Sequence, residues 1–273
     1  MCPILFEIGP FTIYSYGLMV AIGFLVASYV LSLELKRKQL DANLVNTLTA
    51  ITMIAGLAGS KLLYVIENWH YTVLAPVQMF FSPSGLTYYG GFILATIAVY
   101  IFTKRKQLSF LAIADAIAPT LMLGYGIARL GCHFSGDGDY GYPTNLPWGT
   151  NYEHGTYPPS IAFRDFPEIQ SSFADGIVPD NIPCHPTPVY EFIFCALLFT
   201  LMWKVRNKLS VNGKMFALYL VLAGGERFFI EFIRINERIV FGLSEAQIIS
   251  VGLFLLGIFL WNRKMEQTQS MTV

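Results

Sequence analysis

Arg227 and Glu231 stand four positions apart in an otherwise apolar stretch of this chain, and a further arginine, Arg129, stands in another. Residues at i and i+4 share a helix face, so Arg227 and Glu231 can pair while Glu226 points elsewhere. Arg129 has no evident partner on its own helix and needs carboxylates from another segment or an anionic ligand. Phosphate suits a guanidinium, which binds it bidentately and keeps its proton. Two arginines converging at one level of a membrane would suit an anionic phospholipid head group. The plainer reading of Arg227 and Glu231, a buried ion pair that only fixes helix packing, stays open beside it.

The densest polar run follows Arg129 directly: Arg129-Leu-Gly-Cys-His-Phe-Ser-Gly-Asp-Gly-Asp-Tyr-Gly141. Its glycines let backbone approach a ligand closely. Cys132, His133, Asp137 and Asp139, with Cys184-His185 further on, invite a metal reading. Adjacent residues seldom bind one ion together, so neither a metal nor another cofactor is expected. Cys132 and Cys184 could pair as a disulfide, with Cys2 and Cys195 unrelated to them. Lys61 reads as a membrane-depth cation or as one snorkelling to an interface, and Asp115 as a snorkelling or helix-start carboxylate without a functional role. His70 and His154 read as solvated loop residues.

The elements that must hold these groups are set by composition. Of 273 residues 54% are hydrophobic and 13% charged, a balance that fits a bilayer rather than water. Apolar runs long enough to cross roughly 30 Å of hydrocarbon occur seven times, at about 14–33, 44–66, 86–103, 111–131, 187–203, 215–233 and 246–262. Lys36, Arg37, Lys38, Lys104, Arg105, Lys106, Lys204, Arg206, Lys208, Lys214, Arg263 and Lys264 all fall on one side of this arrangement, and Arg164, Arg234 and Arg238 on the other. Basic loops stay cytoplasmic, so the pattern predicts an all-α polytopic membrane protein with its N-terminus outside and its C-terminus in the cytoplasm.

The first run follows a non-basic segment and shows no small-residue cleavage site, which predicts a retained helix rather than a signal peptide. Residues 1–273 then form a single membrane domain. Residues 132–186, rich in Gly, Pro, Asp, Tyr and Asn, form an irregular periplasmic cap of turns and short strands between spans four and five. Ala55, Gly56, Gly59 and Ser60 put a flat stripe on span two for close helix contact. Spans two, four and six run outward and the others inward, so Lys61, Arg129, Arg227, Tyr16, Tyr89, Gly90, Gly91, Tyr190 and Glu191 all fall at the outer level. Charges at that depth cost several kcal/mol unless paired or wet, which makes each a candidate for function. Zero net charge gives no sign of a nucleic-acid partner. The spans show neither an inverted repeat nor a broken helix pair, which argues against a transporter.

The matching segments, in order, are Tyr14-Ser-Tyr-Gly-Leu-Met19, Gly59-Ser-Lys-Leu-Leu-Tyr64, Tyr89-Gly-Gly91, Asp115-Ala-Ile-Ala-Pro119, Arg129-Leu-Gly131 with Gly136-Asp137 and Gly141, His185-Pro-Thr-Pro-Val-Tyr-Glu191, Arg227-Phe-Phe-Ile-Glu-Phe232 and Gln247-Ile-Ile-Ser250. On these the chain resembles the prolipoprotein diacylglyceryl transferase family over nearly its full length. The resemblance implies a multi-pass enzyme of the bacterial inner membrane. Such an enzyme moves the diacylglyceryl group of phosphatidylglycerol to the lipobox cysteine thiol of a preprolipoprotein signal peptide, forming a thioether and releasing glycerol phosphate. It also implies roles: Arg129 as phospholipid ligand, Arg227 as holder of the leaving phosphate, Tyr16 as head-group contact and Glu231 as orienting carboxylate. Asp137 stands where the family has glutamate, and Gly90, Gly91 and Gly141 belong to substrate-binding positions.

The departures fall at the same site. The family's His-Gly-Gly is here Tyr89-Gly-Gly, so the base of the family is absent from its place. The family's Arg-x-Gly-Asn-Phe-x-Asn-Gly-Glu is here Arg129-x-Gly-Cys-His-Phe-Ser-Gly-Asp, with one extra residue before Gly141. His133 is expected to take over proton acceptance, since an ordinary imidazole pKa near 6.5 suits that task; a hydrogen bond within the cap is the alternative role. Two other readings of the chain are a paralogue with the same lipid donor but another acceptor, and a non-catalytic lipid-binding membrane protein.

Overall fold

The computed structural model describes residues 1–9, 11–82 and 87–263; Lys264 lies outside them. In chain order the elements are β1 (Ile4–Ile8), β2 (Phe11–Tyr14), α1 (Ser15–Arg37), α2 (Leu44–Glu67), α3 (Trp69–Leu74), α4 (Pro76–Phe81), α5 (Tyr88–Arg105), α6 (Phe110–Ser135), β3 (Thr150–Asn151), α7 (Pro159–Ala162), α8 (Pro167–Gln170), β4 (Pro183–Cys184), α9 (Thr187–Val205), α10 (Lys214–Ile230) and α11 (Glu245–Asn262). Five helices, α1, α2, α6, α9 and α11, are long and apolar enough to cross a bilayer. Lys104 and Arg105 close α5, and α10 has 17 residues with Glu226 and Arg227 near its end, so neither reaches that apolar length. The chain is mostly helical, and among the described residues its strands form two small two-stranded sheets. The β1–β2 hairpin was not expected from sequence, because its alternating apolar residues merge with the first long apolar run.

Two compact units are present, one of Met1–Ala27 with Ile117–Val273 and one of Ser28–Ala116. In the second, α2 and α5 approach so closely that a Cβ on Gly59 would lie 2.3 Å from the Gly90 carbonyl oxygen, and one on Gly91 2.4 Å from Ser60 Oγ. The small-residue stripe of α2 is therefore filled by backbone of α5, and Gly90 and Gly91 both have faces turned to α2. Gly59→Ala is expected to cost about 1–3 kcal/mol by overpacking, read as a lower midpoint of thermal unfolding in detergent. Asp115 neither snorkels nor starts a helix: it is wholly buried and ion-paired to Lys38 at 3.1 Å. A fully buried carboxylate needs such a partner. Lys61 donates to the Ser82 carbonyl and hydroxyl oxygens, each at 2.9 Å.

In the first unit α6 runs on to Ser135, a full turn beyond the expected end of span four. The cap that follows has its own core of Tyr140, Tyr152, Phe163, Ile169, Val178, Cys184 and Ile235, with the Tyr140 and Tyr152 rings stacked at 4.2 Å. The short strands β3 and β4 pair there, as the turn-rich composition suggests. Two single-turn helices, α7 and α8, also occur, each with proline in its first turn, where the missing N–H costs nothing.

Candidate functional site: a buried arginine and carboxylate chain

The last turns of α6, the start of α9, the end of α10 and the residues after it, together with Asp139 of the cap, build one continuous charged network. Arg129 bonds Asp139, and its Nε lies 3.0 Å from Glu191 Oε2. Arg234 bonds the other oxygen of Asp139 and reaches Glu191 Oε1 at 2.6 Å. Two guanidiniums and two carboxylates thus close a neutral ring. Arg234 Nε continues it at 3.8 Å to Glu231 Oε2, and Glu231 holds Arg227 Nη1 at 2.7 Å. The expected pairing of Arg227 with Glu231 is present. Arg129, which lacks a partner on its own helix, finds two elsewhere.

Each member is fixed by local structure. Glu191 has no exposed surface and accepts a hydrogen bond from Tyr125, one turn before Arg129 on α6; the Tyr125 ring also lies under the Arg129 guanidinium, 4.8 Å from centroid to Cζ. Glu231 accepts from Asn236 Nδ2 at 2.6 Å and from Ser244 Oγ at 2.7 Å, and Ser244 caps α11 in a capping box with Gln247. Arg238 donates to Gln247 Oε1 at 2.6 Å and to the Glu231 carbonyl oxygen at 2.9 Å. Gly141 forms a β-bridge with Arg234. A Cβ at Gly141 would lie 2.5 Å from the Ile233 carbonyl oxygen, so only glycine lets the cap strand come near enough to seat Arg234.

The charges set each other's state. Burial alone would raise the Asp139 carboxyl, but the guanidiniums of Arg234 and Arg129 outweigh it and hold that carboxyl well below the usual range. Burial and the Asp139 charge push the neighbouring Asp137 carboxyl up instead. Arg129 Nε, Arg227 Nη1 and Arg234 Nε are each buried and have no hydrogen-bond acceptor in good alignment among the described residues, despite their nearby carboxylates. Each of these three arginines therefore keeps an N–H group that is charge-paired but not hydrogen-bonded, and buried donors of this kind are costly unless a ligand or water meets them.

The other expected site residues fall as follows. Tyr16 begins α1 and packs on Gly131, whose Cβ would lie 3.2 Å from both Tyr16 Cα and Cδ2; its phenol feels the charges of Arg129, Asp137 and Asp139. His133 lies on α6 one turn after Arg129, with Nδ1 3.0 Å from the Tyr152 hydroxyl. Asp137 lies beside the Cys132 thiol, and Arg129 Nη1 lies 3.7 Å from that sulfur. Tyr89, Gly90 and Gly91 open α5 in the other unit. Cys132 and Cys184 are both buried and unbridged, which corrects the disulfide that their shared side of the membrane allowed; burial pushes the Cys184 thiol up to about 12. The possible ligand atoms of Cys132, Asp137 and Asp139 lie within 4.8 Å of one another, but Asp139 already has an arginine on each oxygen.

Arg234 and Tyr125 belong to the site and were not named as candidates from sequence, whereas Glu191 was placed at its level and Asp139 was weighed only as a metal ligand. Arg234 counted as a loop arginine because it follows the apolar run, yet its side chain is 6% exposed. A signal existed in the spacing Arg227, Glu231, Arg234, which places two arginines on the helix face of one glutamate. A groove of about 620 Å³ lined by Thr47, Ala50, Ile51, Ile54 and Ala98 carries no ionisable side chain and is no candidate for this chemistry.

A family model described as prolipoprotein diacylglyceryl transferase matches residues 3–263. Relatives named phosphatidylglycerol–prolipoprotein diacylglyceryl transferase include one from Clostridium tetani, 33% identical over 264 residues and covering 96% of this chain and 97% of its own. One from Dehalococcoides mccartyi is 31% identical over 278 residues, covering 99% and 97%. One from Trichormus variabilis is 31% identical over 264 residues, covering 94% and 87%.

Proposed function

We propose that this chain, which belongs to the prolipoprotein diacylglyceryl transferase family, transfers the diacylglyceryl group of phosphatidylglycerol to the lipobox cysteine thiol of a prolipoprotein. The sulfur forms a bond to the glyceryl carbon, the bond from that carbon to the phosphate oxygen breaks, and glycerol phosphate leaves with the electron pair. The thiol proton must go to a base. A transition state of this kind needs fixed positive charge where the phosphate departs, and the observation that carries the reading is the buried N–H left without an aligned acceptor on Arg129, Arg227 and Arg234.

In this reading Arg129 binds the phospholipid head group and Arg227 holds the leaving phosphate, oriented by Glu231. Tyr16, packed on Gly131 and within the field of Arg129, touches the head group. By the resemblance Tyr89 and Asp137 count among the catalytic residues, Asp137 in the place of the family's glutamate, and Gly90, Gly91 and Gly141 among the substrate-binding ones. His133 takes the proton; its support is its place on α6, four residues after Arg129 and therefore on the same helix face. The seven-span arrangement, with the N-terminus outside and the cap periplasmic, completes a single membrane domain of the bacterial inner membrane that receives signal peptides from within the bilayer.

Mass spectrometry of a lipobox peptide incubated with the purified protein and phosphatidylglycerol tests the reading: addition of one diacylglyceryl group is expected. Binding of the lipid without peptide modification would point to the non-catalytic reading, and modification of some other thiol or hydroxyl to the paralogue. In the same assay His133→Gln is expected to lower turnover about 10²-fold or more, and full turnover would remove His133 from the proton step.

A further inference from the structure

Three guanidiniums and three carboxylates make up the arginine chain: Arg129, Arg227 and Arg234 face Asp139, Glu191 and Glu231. Glu226 is a fourth carboxyl, with no cation of that chain left over for it. It stands on α10 directly before Arg227 and is half-buried, and its Oε1 is buried without a hydrogen-bond partner among the described residues. A carboxylate taken out of water with neither a cation nor a donor costs far more than the same group carrying its proton. An ionisable side chain inside an apolar segment is by default a candidate for function.

Packing fixes where Glu226 points. Gly224 lies against α11, where an added Cβ would come within 2.7 Å of the Ser250 carbonyl oxygen and 3.0 Å of the Phe254 nitrogen; both of these α11 residues are uncharged. Residues two apart on a helix are turned about 200° from each other, so Glu226 faces away from α11, toward α6 and α9. Those two helices nearly touch, since a Cβ on Gly126 would lie 2.8 Å from Cys195 Cβ. The charged and titratable groups around Glu226 are accordingly Tyr125 and Arg129 of α6, Glu191 and Cys195 of α9, Arg227 of its own helix and Arg234 beyond it. One turn earlier on α10, Leu222 packs on an apolar cluster that includes Met122, Cys195 and Met215. The carboxyl thus sits at the boundary between apolar packing and the arginine chain.

In the transfer proposed above, a phosphodiester with one negative charge enters this charge-balanced network, and cleavage of its bond to the glyceryl carbon creates a second charge on the phosphate. We infer, resting on that transferase reading, that Glu226 is the general acid of the reaction and gives its proton to the phosphate oxygen from which the glyceryl carbon departs. A carboxyl that its surroundings keep neutral is able to donate in this way. As the sulfur–carbon bond forms and the carbon–oxygen bond breaks, the electron pair left on the phosphate oxygen takes up the Glu226 proton, and the pair of the carboxyl O–H bond stays on Glu226. Glycerol phosphate then leaves with a single charge. Once it has gone, the thiol proton held by the base returns to Glu226 through water.

Glu226→Gln keeps the size and the neutrality of a protonated carboxyl but has no acidic proton. With the lipobox peptide it is expected to lower kcat about 10²-fold at an unchanged KM for phosphatidylglycerol. It is also expected to abolish the fall of kcat on the alkaline side, where the native carboxyl loses its proton. Full turnover would overturn the inference, and so would a reduced kcat that keeps the alkaline fall, the mark of a packing role. The proton itself is read on the unaltered protein, without turnover, by peptide mass spectrometry after treatment with dicyclohexylcarbodiimide, an apolar reagent that adds to protonated carboxyls. Glu226 is expected to be labelled in preference to Glu191 and Glu231, and less as the pH rises; absence of that adduct would overturn the inference even if Glu226→Gln did not fold. A labelled Glu226 in a protein that transfers no diacylglyceryl group would overturn the general-acid role through the transferase reading alone, so the two failures are distinct.

Discussion

Replacing Arg227 with glutamine is expected to lower turnover by about 10²–10³-fold while leaving the midpoint of thermal unfolding almost unmoved. The asymmetry follows from who else holds Glu231. That carboxylate keeps Asn236 at 2.6 Å, Ser244 at 2.7 Å and the flank of Arg234 at 3.8 Å when Arg227 is gone, so the charge it leaves behind is still met by two hydrogen bonds and one guanidinium. A structural ion pair would behave in the opposite way, with stability falling and turnover following it. Arg227→Lys keeps the charge but loses the planar fork and is expected to recover only part of the rate. Lipobox peptide turnover, set against the unfolding midpoint in the same detergent, separates the two roles; a fall in midpoint matching the fall in rate would return Arg227 to the packing role left open from sequence.

Glu191→Gln has the larger expected effect on the fold. Glu191 is fully buried and receives Arg129, Arg234 and Tyr125, and neutralising it leaves two guanidiniums sharing Asp139, with only the more distant Glu231 beside Arg234. Breaking a buried pair in this manner costs about 3–5 kcal/mol. Asp139→Asn is expected to cost less, because the Asp139 side chain is 32% exposed and water can enter where its charge was. The double replacement Glu191→Gln with Arg234→Gln restores charge balance and is expected to regain much of the stability but none of the activity. Denaturant unfolding of the three variants gives the comparison, and equal losses for Glu191→Gln and Asp139→Asn would refute the closed ring as the source.

The long helices were legible in the sequence because a 20-residue apolar run has few alternatives. Their ends were less so: α6 extends through Cys132 and His133 to Ser135, since polar residues at a helix end do not themselves break it. The pairing of Arg227 with Glu231 followed from spacing. The partners of Arg129 did not, because Asp139 lies in a turn-rich segment and Glu191 opens a different helix, and sequence spacing carries no information about contacts between elements. Arg234 shows the same limit more sharply. Its position just beyond an apolar run resembles any loop arginine, yet its backbone bridges Gly141 and its side chain meets Asp139 and Glu191.

The closed ring also bears on biosynthesis. Arg234 follows Asp139 by 95 residues and Glu191 by 43, so the ribosome delivers both carboxylates and a single arginine well before the cation that neutralises the excess. Until α10 has emerged, the half-made protein carries a surplus negative charge that the lipid interior penalises. Completion of this centre is thus postponed to the closing stage of translation.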